Sequence, residues 1–157
     1  MPNCKPFEPA IAERIVLEHS SSEGALLPIL HELQAEFGYL PAEVVPLVAT
    51  MLNITRAEVH GVISFYHDFR TSPPGARVIK LCLAEACQAR GVRDVSARLT
   101  TELGVEMGET ASDRSVSLLP VYCLGLCGNG PAALVEDRAY ADLGGRGFAA
   151  CMKAVKS

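Results

Sequence analysis

The sequence predicts an α+β protein, a bundle of short helices followed by a mixed layer of strands and helices. Three observations predict it. Apolar residues recur at helical spacing along the front of the chain. The stretch "RTSPPGA", Arg70 to Ala76, then interrupts the pattern with paired prolines and a glycine. Beyond it, "ARVIKLCLA" alternates with the period of a half-buried strand. At 157 residues, 49% of them hydrophobic, the chain is long enough to bury a core without disulfide staples.

Each front element has its own signal. "PAIAERIVLEHS" places Pro9 near a helix start, with Ile11, Ile15 and one of Val16 or Leu17 as the buried stripe. "ALLPILHELQAEFG" sets Leu26, Ile29, Leu30, Leu33 and Phe37 at helical spacing, and Gly38 suits a left-handed stop. "YLPAEVVPLVATMLN" starts a third helix at Pro41, with Pro46 tolerable only in a first turn or at a kink. In "TRAEVHGVISFY", Thr55 and Glu58 form a capping box ahead of the fourth. Phe65, Tyr66 and Phe69 are expected to pack as core at the domain junction rather than form a cofactor box, with any exposed part suited to anchoring a partner.

In the second half, Val78 and Lys80 of the first strand point one way, Ile79 and Leu81 the other. A helix is expected from about Val92 to near Gly104. "SVSLLPVYC", "AALVED" and "RAYADL" read as further strands, with a hairpin turn at Asp137-Arg138, and "RGFAACMKAVK" as a closing helix. The order β-α-β-β-α resembles a thioredoxin-like layer of helices on a sheet. The expected division is a helical domain over 1–70, a linker over 71–76 and the thioredoxin-like domain over 77–157.

Charge excludes some functions. The net charge is −4, and residues 1–75 carry four Lys/Arg against nine Asp/Glu. An acidic front argues against nucleic-acid binding, which depends on neutralising phosphates. The helix-turn-helix cadence of "VVPLVATMLNITRAEVHGVISF" offers only Arg56 where a recognition helix exposes basic and amide groups. No apolar run approaches the ~18 residues of a membrane span, so direct membrane insertion is not expected. "MPNCKPFEPAIAER" lacks an apolar leader core, which points to the cytoplasm. Six cysteines in a reducing compartment point to metal or redox chemistry rather than disulfides.

Four of the six form a pattern. Cys82 and Cys87 are spaced C-x4-C and Cys123 and Cys127 C-x3-C, and each pair begins where a predicted strand ends. Neighbouring strands would bring both pairs to one sheet edge. Structural zinc takes four thiolates but usually in tighter C-x2-C turns, and an iron–sulfur cluster tolerates wider loops. Spacing therefore favours a cluster and leaves a zinc-stabilised adaptor as the alternative. Gly125, Gly128 and Gly130 permit positive φ and close approach of backbone N–H groups to sulfur. Neither pair has the C-x-x-C spacing of a thiol–disulfide oxidoreductase. Cys4 in the N-terminal segment and Cys151 on the last helix are expected to bind no metal. His19, His31, His60 and His67 all lie in the front half, away from the cysteines.

"LCLAEAC" with "LPVYCLGLCGNGP" resembles the thioredoxin-like 2Fe–2S subunit of NADH-linked oxidoreductases. That family includes the small iron–sulfur subunit of complex I, its counterpart in NAD-linked hydrogenases and the γ subunit of soluble NAD-dependent formate dehydrogenase. "EFGYLP" and "VHGVISFYHDF" are similar to its helical front, so the resemblance spans nearly the whole chain. It implies one 2Fe–2S cluster, with Cys82 and Cys87 on one iron and Cys123 and Cys127 on the other. It implies an electron-transfer role without catalysis by this chain alone. The expected partners are a flavin- and NAD-binding subunit and a larger iron–sulfur catalytic subunit, with any molybdenum or tungsten cofactor on the latter. "AEACQARG", with Gln88 after the second cysteine, looks most like the formate dehydrogenase branch.

Overall fold

Prolines in first turns and glycines past last turns set several helix boundaries in the front half. In the computed structural model of the chain, which describes residues 4–156, α1 spans Pro9–His19 and α2 spans Leu26–Phe37. Pro9 occupies the first turn of α1, where a missing N–H costs no helical bond. Gly38 stops α2 at φ 82, its N–H bonded to the Gln34 carbonyl. The third helix, α3 (Val44–Met51), starts three residues later than Pro41 suggests. Pro46 then falls in its first turn and no kink is needed.

The capping box forms ahead of α4 (Arg56–Phe65). Thr55 Oγ1 accepts from the Glu58 N–H, and the Glu58 carboxylate accepts from the Thr55 N–H at 2.8 Å. The four helices bury Ile15, Val16, Ile29, Leu30, Leu33, Phe37, Val48 and Val59 together. Val16, not Leu17, takes the inward position; Leu17 is 64% exposed. The aromatic cluster departs from expectation. Phe69 is core, but Phe65 and Tyr66 are 73% and 42% exposed. Tyr66 follows the last turn of α4 in extended backbone, which carries it off the inward face.

The described residues up to Pro73 form one compact unit and those from Pro74 onward another. The second contains β1 (Arg77–Cys82), α5 (Glu85–Ala89), α6 (Val92–Leu103), β2 (Glu109–Thr110), β3 (Val116–Val121), β4 (Ala133–Val135), β5 (Arg138–Tyr140) and α7 (Gly147–Lys156). The sheet order is β2-β3-β1-β4-β5. β1 and β3 run parallel, with Arg77 opposite Val116 and Cys82 opposite Val121; the other pairings are antiparallel. β1 is the middle strand, so Val78 is buried along with Ile79 and Leu81, and the expected alternation is blurred.

Two elements, α5 and β2, were not expected, and one turn is displaced. The β4–β5 hairpin turns at Glu136-Asp137, with Glu136 at φ 50, one residue before the expected junction. Gly75 lies against the sheet. A Cβ there would stand 2.6 Å from the Val116 backbone, and the Gly75 N–H donates to Ser117 Oγ at 2.8 Å. Apolar side chains of β1, β3, α6 and α7, including Ile79, Leu81, Leu99, Leu118, Phe148 and Met152, form this unit's core.

Candidate metal centre

Parallel strands in adjacent positions end at the same edge of a sheet, which is how the two cysteine pairs meet. Cys82 closes β1, and Cys123 lies two residues past Val121, the β3 residue opposite Cys82. The Leu83 N–H donates to the Val121 carbonyl at 2.8 Å and the Cys82 N–H to the Ala132 carbonyl at 2.9 Å. These bonds stitch the Cys82 segment to both neighbours just where the strands finish.

Cys87 sits on α5, not in an open loop. α5 is only five residues long and ends at Arg90 and Gly91, the latter at φ 83. The Gln88 side-chain amide reaches back to the Leu83 carbonyl at 2.9 Å and closes the segment between the first two cysteines. Cys127 opens a 3-10 turn, Cys127–Asn129. That turn is tied onward by the Asp142 N–H to the Asn129 carbonyl at 2.7 Å.

The sulfurs stand as two pairs. Cys123 Sγ and Cys127 Sγ are 3.7 Å apart. Two thiolates on one tetrahedral metal with bonds of about 2.3 Å stand about 3.75 Å apart, so this pair has the right separation for one ion. The Cys82 and Cys87 thiols are hydrogen-bonded to each other, and Cys127 interacts electrostatically with both. A single zinc needs all its ligands around one point. Among the described residues, no group of three or more His, Cys, Asp or Glu side chains is gathered to hold one metal ion. The thiols are therefore arranged as two linked pairs at one sheet edge.

The environments of the pairs differ. Cys82 and Cys87 are each 2% exposed, whereas Cys123 and Cys127 face outward. Burial works to raise the Cys82 thiol, but it is outweighed. Backbone N–H groups of Ala84, Cys123 and Leu124 and the Cys87 thiol together hold it below its ordinary value. Burial pushes Cys87 up, assisted by Cys82, against one N–H from Ala132. The neighbouring Cys123 thiol raises Cys127. Amides aimed at sulfur stabilise negative charge there whether a proton or a metal is the partner.

Glycine acts at two of the three expected positions, in different ways. Gly125 has φ 76, while Gly130 has φ −66 and serves by lacking a side chain: a Cβ would stand 3.2 Å from Cys87 Sγ. Cys123 itself carries φ 81, which no sequence signal announced. Cys151, fully buried on α7, has its thiol pushed up to about 11 by burial, and Cys4 is exposed. His60 and His67 are exposed residues of the helical unit.

The family described as "Thioredoxin-like [2Fe-2S] ferredoxin" matches residues 12–156. The chain is 34% identical over 121 residues to the HndA component of the NADP-reducing hydrogenase of Solidesulfovibrio fructosivorans, covering 77% of this chain and 71% of that one. It is 31% identical over 147 residues to a subunit of the NADH-quinone oxidoreductase of Escherichia coli (strain K12), covering 90% and 89%. Among solved structures, an NAD+-reducing [NiFe]-hydrogenase in the air-oxidized state superimposes with a TM-score of 0.68 at 24% identity. The likeness covers 83% of this chain and 22% of the other, and it concerns the fold.

Proposed function

The chain belongs to the thioredoxin-like [2Fe-2S] ferredoxin family, and from that premise we propose that it is the electron-transfer subunit of an NAD(P)-linked oxidoreductase complex. The observation that carries the proposal is the delivery of four thiols, as two pairs, to one edge of a sheet by adjacent parallel strands. Cys82 and Cys87 would hold one iron, and Cys123 and Cys127 the other. When bound, a 2Fe–2S cluster supplies a one-electron couple. The residues do the rest: Cys82, Cys87 and the packed backbone of Gly130 keep water from one side, and N–H groups of Ala84, Cys123 and Leu124 stabilise negative charge at sulfur. Cys123 and Cys127 are exposed, which supports exchange of electrons with a partner docked on that side.

Anaerobically purified protein should contain roughly two irons and two sulfides per chain. Zinc without sulfide would overturn this reading in favour of a zinc-stabilised adaptor.

The finer assignment is the γ subunit of an NAD-dependent formate dehydrogenase, supported by "AEACQARG" and its Gln88. On this reading NAD and flavin reside on one partner, and a molybdenum or tungsten cofactor on a larger iron–sulfur partner, in the cytoplasm. Among the described residues no helix is long and apolar enough to cross a membrane. The names of the relatives, an NADP-reducing hydrogenase and an NADH-quinone oxidoreductase, support a second reading as the equivalent subunit of a hydrogenase or of complex I. Tagged protein recovered with its native complex separates them. Formate-dependent NAD+ reduction is the expected result, and hydrogen turnover or NADH oxidation by quinone without formate activity would overturn the formate assignment.

A further inference from the structure

Arg90 ends α5, the helix that carries Cys87, and Gly130 ends the 3-10 turn that starts at Cys127. Forty residues apart in sequence, the two ends are joined by one bond: Arg90 Nε donates to the Gly130 carbonyl at 2.9 Å. The Arg90 stem lies along the same glycine. A Cβ at Gly130 would stand 3.5 Å from Arg90 Cδ on one side and 3.2 Å from Cys87 Sγ on the other. Gly130 is buried between them.

We propose that Arg90 is a positioning residue that pins the Cys127 turn against the Cys87 helix and so fixes how far apart the two ligand pairs stand. The proposal rests on the cluster reading above. Its basis is the donor at Nε rather than the positive charge. Arg90 is exposed, so water solvates its charge and weakens the guanidinium's field at the sulfurs. A well-formed hydrogen bond at this distance is not weakened in that way. Bonds that orient metal ligands in this fashion typically change metal retention by about 10–100-fold when removed.

Three substitutions separate a donor from a charge. Glutamine carries its amide nitrogen at the same number of bonds from Cα as arginine Nε, with no charge. Lysine keeps the charge but places its amine one atom further out, and alanine removes both. Purified holoproteins are first analysed for iron and sulfide, then challenged with an iron chelator, and their reduced electron paramagnetic resonance spectra are recorded. Arg90→Ala and Arg90→Lys should lose iron about tenfold faster than the parent and show broadened spectra, because the two pairs sample more than one separation. Arg90→Gln should match the parent in both. If Arg90→Lys matches the parent while Arg90→Gln behaves like Arg90→Ala, charge is responsible and the proposal is overturned. Parent-like behaviour of all three also overturns it, while leaving the cluster assignment intact. A parent protein without iron and sulfide overturns the cluster reading, and this one with it.

Discussion

Cys123 holds φ 81, a region in which a side-chain-bearing residue costs about 1–2 kcal/mol relative to the right-handed one. Residues kept there by their surroundings tend to lie at functional sites, and this one is paired with Cys127 at 3.7 Å. Cys123→Ser and Cys82→Ser are expected to lose or perturb the cluster, seen as reduced iron content or altered visible absorption. Cys151→Ser should leave both unchanged. Equal loss in all three would mean that the ligands are misassigned. Cys151 should show itself in stability instead. Its folded thiol ionises near 11 against an ordinary 9, so the folded state holds that proton more tightly than the unfolded chain. The stabilisation from this difference is whole below about pH 9 and is lost as pH rises towards 11. The gap in urea midpoint between parent and Cys151→Ala should therefore narrow between about pH 8 and about pH 10.5. A constant gap would show that the thiol titrates normally in the fold.

The helix starts and stops carry the next prediction. Thr55→Ala removes the side-chain acceptor for the Glu58 N–H at the start of α4 and should lower stability by about 1 kcal/mol, measured by urea unfolding. Iron content should not change, because Thr55 belongs to the helical unit. This cap was legible in the sequence for the same reason that Gly38 and Gly104 were: each acts within one helical turn, so its signal is local. α5 and β2 were not legible. Five helical residues and a two-residue edge strand are too short to display a period, and only tertiary bonds such as Thr110 to Ser117 hold the edge in place. The cysteine spacing showed that two pairs meet. It did not show that Cys87 rides a helix, that Cys123 adopts positive φ, or that Gly130 is a close-approach glycine. Those depend on residues some forty positions away, and the Arg90–Gly130 bond is an instance. The close approach at Gly75 is of the same kind, since the residue it abuts, Val116, lies some forty positions further on.

At the scale of the whole molecule, each unit has its own closed apolar core. Phe37, Leu30, Leu33 and Val48 centre one; Ile79, Leu81, Leu99 and Leu118 centre the other, with Cys82 and Cys87 packed into it. All four proposed ligands and their amide donors lie on the second side of Pro74. A chain whose core and ligand set are both contained in one segment should not need the other to fold around its cofactor. A fragment of residues 74–157 is therefore expected to fold alone and to take up roughly two irons and two sulfides per chain. It should do so with the visible spectrum of the full-length protein. The acidic helical unit would then serve the complex rather than the cluster. Its exposed Phe65 and Tyr66 are the sort of side chains that anchor interfaces. Adding the fragment to the partner subunits should consequently restore less NAD-linked electron transfer than adding the full chain, at equal cluster content. A fragment that fails to fold, or that folds but binds no iron, would show that the helical unit helps to build the cluster site itself.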